Sequence, residues 1–218
     1  MTPPIVVGIP AVAWIYTRAA ISLFRLLRDE LPPESVTIFE SGFASWISKR
    51  NQIVRHFLAR PPAFSHLLLL DSDMIFPVGM VPRLLAADKD VIGAPYTLRV
   101  PPFGVVGGSA VSPDGRGRRE GACCWPAEIG QGLQRVNKIG GGVMLIKRRV
   151  LQTMAGTGPV WFYAPEEYGD ADDYWFCEKA EAAGFEIWMD TDLDLGHMTI
   201  APVTPRSAPY WLAGWPEV

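Results

Sequence analysis

The chain has 218 residues, 49% hydrophobic and 20% charged, with 20 Lys and Arg against 23 Asp and Glu for a net charge of −3. That length allows one domain with a sizeable core, or one domain with a small appendage, and the composition excludes a disordered chain. The mild negative balance does not imply a tight, sequence-blind grip on nucleic acid, and no apolar run approaches the roughly 18 residues needed to span a bilayer.

Ile5 to Ile9 is a short β-branched run that predicts a first strand, stopped by Pro10. A helical pattern follows from about Trp14 to Leu31, with Ile21, Phe24, Leu27 and Leu31 at inward spacing and Arg18, Arg25 and Arg28 on a solvated side. Pro32-Pro33 ends it, Val36 to Glu40 makes a second strand, and strand–helix–strand at this spacing predicts a right-handed parallel crossover. A second helix, about Ala44 to Leu58, turns Ile47, Val54, Phe57 and Leu58 inward.

The stretch His66 to Phe76 then reads His-Leu-Leu-Leu-Leu-Asp-Ser-Asp-Met-Ile-Phe. Four consecutive leucines suit a parallel strand covered by helices on both faces. Side chains alternate along a strand, so Asp71 and Asp73 point to one side just past its carboxyl end. Two carboxylates about 5–6 Å apart repel by roughly 3 kcal/mol at an effective dielectric near 20. A divalent cation would remove that repulsion, and open α/β sheets place ligands at this edge. The alternative is a solvated turn that merely stops the strand.

A helix at Val81 to Ala87 leads to a fourth strand at Val91 to Ala94. Between Arg99 and Gln131, prolines and glycines are dense and Arg116, Arg118 and Arg119 cluster. This reads as a loop or irregular hairpin, an acceptor-facing flap or a solvated excursion. Val136 to Ile146 carries Gly140-Gly141-Gly142 before an apolar strand, which marks a tight turn or a place where something approaches the backbone closely. A helix over Arg149 to Met154 follows, then an acidic loop, Glu166 to Asp173, before a helix at Tyr174 to Ala183 that Asp172 or Asp173 could cap. Glu186 to Asp190 is the last strand; Leu195-Gly196-His197 leads into a proline- and aromatic-rich tail with Arg206, Tyr210, Trp211 and Trp215. That tail could stack on a sugar or base, pack on the core, or touch a membrane surface. Cys123, Cys124 and Cys177 fit neither a disulfide framework nor a zinc site. Read as reduced thiols, and with a Met-Thr-Pro-Pro start lacking any leader pattern, they lead to the expectation of a soluble, cytoplasmic chain.

The strand ending at Pro10, the Arg50-Asn51 pair, Asp71-Ser72-Asp73, the Gly140-Gly141-Gly142 strand, the Asp172-Asp173-Tyr-Trp-Phe-Cys helix start and Gly196-His197, in this order, resemble the GT-A nucleotide-sugar glycosyltransferases. The likeness is to small members akin to glycosyltransferase family 2, phage-type members included, and spans roughly Ile5 to Thr199. One departure is that the family often has Glu-Asp where this chain has Asp172-Asp173.

The resemblance implies an α/β, Rossmann-like, mostly parallel sheet flanked by helices in one domain, residues 1–199, followed by a tail at 200–218. Residues 1–98 would form the nucleotide-sugar half and 99–199 the acceptor half. It implies a metal-dependent, inverting hexosyltransferase that moves a sugar from a nucleoside diphosphate donor, a UDP-sugar, to a hydroxyl of a glycan, a protein or a hydroxymethylated DNA base. A phage-encoded chain would work in the host cytoplasm.

Asp73 would hold Mn2+ or Mg2+, with Asp71 on the metal, on the ribose, or on a water of the metal, and His197 completing the set. His197 could equally be a satisfied structural histidine; His56 and His66 read as structural. Pro10, Arg50, Asn51, Ser72, Gly141 and Gly142 would bind the donor; Arg50 could meet a phosphate, meet the first acidic residue, or stay solvated. Asp173 is the favoured general base, with Asp172 orienting the acceptor or capping the helix. Arg206 could clamp the diphosphate, and Arg116, Arg118, Arg119, Arg148 and Arg149 could contact DNA phosphates. Two other classes stay open: a nucleotidyltransferase, although only Gly8 and no arginine before Arg18 follow the first strand, and a non-catalytic sugar- or nucleotide-binding module.

Overall fold

The computed structural model describes residues 2–11, 15–99, 103–116, 124–156, 158, 160–169 and 171–199. Trp14, Arg118, Arg119, Cys123 and the 200–218 tail, with Arg206, Tyr210, Trp211 and Trp215, lie outside the described residues. The first half runs β1 (Ile5–Pro10), α1 (Thr17–Asp29), β2 (Val36–Glu40), α2 (Trp46–Leu58), β3 (His66–Leu70), β4 (Met74–Ile75), α3 (Met80–Ala86), β5 (Val91–Gly93) and β6 (Tyr96–Thr97). The second runs β7 (Val105–Val106), β8 (Gly108–Ser109), β9 (Trp125–Pro126), β10 (Leu133–Val136), β11 (Val143–Lys147), α4 (Arg148–Ala155), α5 (Asp172–Ala182), β12 (Ile187–Asp190) and β13 (Gly196–His197).

Among the described residues the central sheet has seven strands in the order β10-β12-β5-β11-β3-β1-β2. β1 pairs in parallel with β2 and β3, and β5 with β12, whereas β11 runs antiparallel between β3 and β5 and β10 runs antiparallel at the edge. This is the expected single mostly parallel sheet flanked by helices. The reversed β11 has a consequence for the site. Its start pairs Val143 with Leu70 and Met144 with Gly93, so the glycines before it reach the edge where β3 and β5 end.

The leucine run is explained by two cores. Leu67 and Leu69 pack with Ile53, Val54 and Phe57 of α2 and with α4 and α5; Leu68 and Leu70 pack with Leu23 and Leu26 of α1 and with α3. All four leucines are fully buried, and each such burial contributes about 1.5–3 kcal/mol. A strand sandwiched in this way has no solvent face on which a polar residue could sit.

Three expectations are corrected. In α1 the buried stripe is Ala19, Ser22, Leu23 and Leu26, while Ile21 and Phe24 are 65% and 64% exposed; both stripes satisfy helical spacing, and the sheet selected the other one. Arg25 turns in rather than out and donates to Phe76 O at 2.5 Å. The stretch from Val136 to Ile146 holds the end of β10 and most of β11, with Gly140 to Gly142 turning between them, as the tight-turn reading had it. The α5 N-cap is Ala171, without a side-chain cap, so Asp172 and Asp173 fall in the first turn, where Asp172 turns to Arg50 and Asp173 accepts from Tyr174 N.

Candidate active site at the carboxyl edge of the sheet

β3 delivers Asp71 directly past Leu70, and α2 delivers Arg50 beside it. Arg50 is 5% exposed; its Nη2 donates to both Asp71 oxygens at 2.9 and 3.1 Å and its Nη1 to Asp172 Oδ1 at 2.5 Å. Burial alone would lower the guanidinium pKa, but the surrounding carboxylates of Asp71, Asp172 and Asp173 outweigh it and raise it well above its ordinary value. The arginine is therefore a fixed cation that ties the acidic pair after β3 to the acidic pair of α5. The backbone makes room for it: a Cβ on Gly141 would lie 2.1 Å from Arg50 Nη2.

Asp173 lines the same cleft. Its Oδ2 accepts from Gly141 N at 2.6 Å and its Oδ1 from Tyr174 N at 2.8 Å. Burial pushes its carboxyl up, Asp172 adds to this, and Arg50 and the two amides resist, leaving a pKa of about 6. A carboxylate there changes protonation close to neutrality, which suits a general base. Asp172 differs: it is 3% exposed, committed to Arg50 through Oδ1, and its Oδ2 is sealed without a hydrogen bond among the described residues.

His197 arrives from the other end of the chain because β13 pairs with β4, His197 opposite Met74, and Met198 N donates to Asp73 O at 2.9 Å. The imidazole Nδ1 lies 2.7 Å from Thr97 O. A carbonyl only accepts, so Nδ1 carries the proton and Nε2 is directed at Asp73 Oδ2, 3.5 Å away. That gap is wider than a normal N–H···O bond. It matches two ligands on one ion, which lie roughly 3.0–3.5 Å apart when each is about 2.1 Å from the metal. Metal-binding histidines commonly donate their other N–H to a backbone carbonyl, as here. Asp73 and His197 thus fit a divalent cation. Asp71 does not face it freely, since Arg50 engages both its oxygens, and among the described residues no three His, Cys, Asp or Glu side chains gather at ligand distance. Of Asp71, Asp73 and His197, expected as one ligand set, the last two face each other across 3.5 Å and Asp71 is held on Arg50.

The remaining donor-site expectations divide similarly. Asn51 is turned away: its Nδ2 donates to Phe162 O and Ile47 O, and its Oδ1 accepts from Trp161 N and Phe162 N, which clamps the chain before α5. Pro10 is buried at the end of β1, opposite Glu40, and Ser72 is buried between the two aspartates. Gly141 and Gly142 admit side chains rather than leaving open space: Arg50 lies over the first, and the Tyr96 ring would be 2.8 Å from a Cβ on the second.

Tyr96, Arg99, Cys124 and Tyr174 line the cleft, of about 790 Å³, and escaped the sequence reading. Tyr96 follows β5 at the same edge as Asp71 follows β3, so the strand-end rule that marked the aspartates also applied to it. Arg99 had no such signal, being an arginine in a proline-rich loop.

The strand order and the acidic cleft at the carboxyl edge define a GT-A-like, Rossmann-like α/β domain. Among solved structures the chain is similar to A197 from STIV, with a TM-score of 0.60 and 15% identity over 90% of this chain and 86% of that one. It is also similar to GalNAc-T7 crystallised with UDP, GalNAc and Mn2+, with a TM-score of 0.59 and 11% identity over 92% of this chain and 44% of that one. At these identities the likeness is one of fold, and it does not extend to family 2 or to phage-type members. The chain spans less than half the length of GalNAc-T7. No protein-family model and no curated protein sequence matches it.

Proposed function

We propose that this chain is a metal-dependent glycosyltransferase that moves a sugar from a nucleoside diphosphate donor, a UDP-sugar, to a hydroxyl acceptor with inversion. The observation that carries the reading is the convergence of Asp73 and His197, with Nδ1 tied to Thr97 O and Nε2 aimed at the carboxylate. These two residues would hold Mn2+ or Mg2+, and the imidazole inclines the site to manganese. Bound there, the cation supplies charge neutralisation to the departing diphosphate. Arg50 keeps Asp71 in one orientation, so that its cleft-facing edge can meet the donor ribose. Asp173 accepts the proton of the attacking hydroxyl, while Asp172 anchors Arg50. Leu98, Val105 and Val106 give the cleft an apolar wall against which an acceptor can rest.

The test is UDP release from a panel of UDP-sugars, with GDP-sugars as comparison, with and without Mn2+. Wild type should turn over a UDP-sugar only with the metal, and Asp73→Ala and His197→Ala should each lose at least about 10²-fold. Full turnover by both variants, or turnover indifferent to chelation, would sink the reading.

A further inference from the structure

Arg99 is used by nothing described so far. Its Nη1 lies 2.9 Å from Asp73 Oδ2, the same oxygen that His197 Nε2 faces at 3.5 Å. A guanidinium therefore lies on the Asp73 oxygen at which the proposed cation would bind. One oxygen cannot serve both at short range, because a guanidinium and a divalent ion repel each other. The Arg99 side chain is 52% exposed, so it can leave. Its backbone is fixed: Leu98 N donates to Gly104 O at 2.9 Å, and Arg99 O accepts from Thr199 Oγ1 at 3.3 Å.

Once displaced, the guanidinium finds no accessible carboxylate among those described in the cleft. Asp71 and Asp172 are paired with Arg50, Asp173 is held by two backbone amides, and the unpartnered Asp172 Oδ2 is sealed from the surface. The compensating negative charge must come with a ligand, and an arginine fork suits phosphate oxygens. Resting on the metal-dependent reading above, we propose that Arg99 is an exchangeable counter-ion of the cation site. It holds Asp73 when no metal is bound and moves to the diphosphate of the donor nucleotide when one is.

Such an exchange makes the two ligands cooperative. Metal alone must strip Asp73 from Arg99 and leave the arginine unpaired, whereas metal with nucleotide gives it a new partner. Linkage then requires each ligand to tighten the other by the same factor. Mn2+ binding, followed by the EPR signal of free Mn2+, is measured with and without saturating UDP, on wild type and on Arg99→Gln. Melting of the ligand-free variant checks that this exposed substitution leaves the fold intact. Wild type should bind Mn2+ about 10–100-fold more tightly with UDP. In Arg99→Gln, Mn2+ alone should bind about 3–10-fold more tightly than in wild type, and the coupling factor should fall below about 3-fold. A variant with unchanged or weaker Mn2+ affinity in the absence of UDP, or with the wild-type coupling factor, overturns the Arg99 role and leaves the transferase reading standing. Wild type that binds no Mn2+ under either condition overturns both.

Discussion

Asp173 is a carboxylate held partly protonated near neutrality by the same burial that positions it. Its carboxyl titrates at about 6 in the folded chain against an ordinary 3.8. Between those values the folded chain holds the proton that the unfolded chain has lost, so folding stability falls as pH rises through this window and the loss is complete above pH 6. The shift would correspond to about 3 kcal/mol if taken whole; in a cleft open to solvent about 1–2 kcal/mol is the realistic share. Asp173→Asn carries no such proton. The melting temperature of wild type relative to this variant should therefore rise by a few degrees as pH is lowered from about 7.5 to 5. For a general base the catalytic counterpart has the opposite slope: wild-type transfer should rise with pH through about 6. The variant should be about 10²–10⁴-fold slower at neutral pH and lose that rise. A variant that keeps the wild-type pH–rate curve would remove Asp173 from the proton transfer.

At the scale of elements, the helix faces show how a regular pattern can mislead. Leu23 and Leu26 face the sheet, and Phe24 is 64% exposed one residue away. Leu23→Ala should lower stability by about 2–5 kcal/mol, whereas Phe24→Ala should change it by no more than about 0.5 kcal/mol, both read by denaturant unfolding. A large loss at Phe24 would mean that the exposed face is covered. The periodicity of α1 is legible in its sequence, but two stripes of apolar residues satisfy it and only the partner sheet selects between them. β3 was legible for the opposite reason. Burial on both faces leaves an unbroken leucine run, and the strand's end exposes Asp71 and Asp73 where the rule for α/β sheets puts ligands. The pairing of β4 with β13 spans two residues on each side, too short to leave any periodicity, yet it brings His197 to Asp73. Gly196-His197 was found through a family likeness and not through its pattern. Arg50 shows the limit from the other direction. A charged residue on an amphipathic helix reads as solvated, and its burial becomes intelligible only once Gly141 and the two acidic pairs surround it.

Across the whole molecule, the arrangement of charge bears on the acceptor. Of the arginines expected as contacts to a nucleic-acid backbone, Arg148 is 8% exposed and donates to the carbonyls of Phe64, Leu58, Phe57 and Pro61, closing the end of α2. Arg149 is forked onto Asp90. Arg83 pairs with Asp190 and Asp192, and Arg135 with Glu186. These four arginines are therefore taken up by the chain itself, while Arg118 and Arg119 lie outside the described residues. Under the proposed transferase reading, these arginines give no support to a nucleic-acid acceptor. Substituting Arg148 by Ala should strand several carbonyls and lower stability by about 2–4 kcal/mol, visible as a fall in melting temperature. Substituting Arg149 should lower it by less than about 1 kcal/mol, because its pair is exposed. Neither variant should alter retention on a duplex carrying hydroxymethylated bases. That retention should be weak and nearly flat between about 50 and 200 mM salt, where a protein making 6–10 phosphate contacts loses roughly 10³–10⁵ in affinity. A steep salt slope abolished by Arg149→Ala would assign Arg149 to a nucleic-acid acceptor and raise the DNA base above the glycan and the protein.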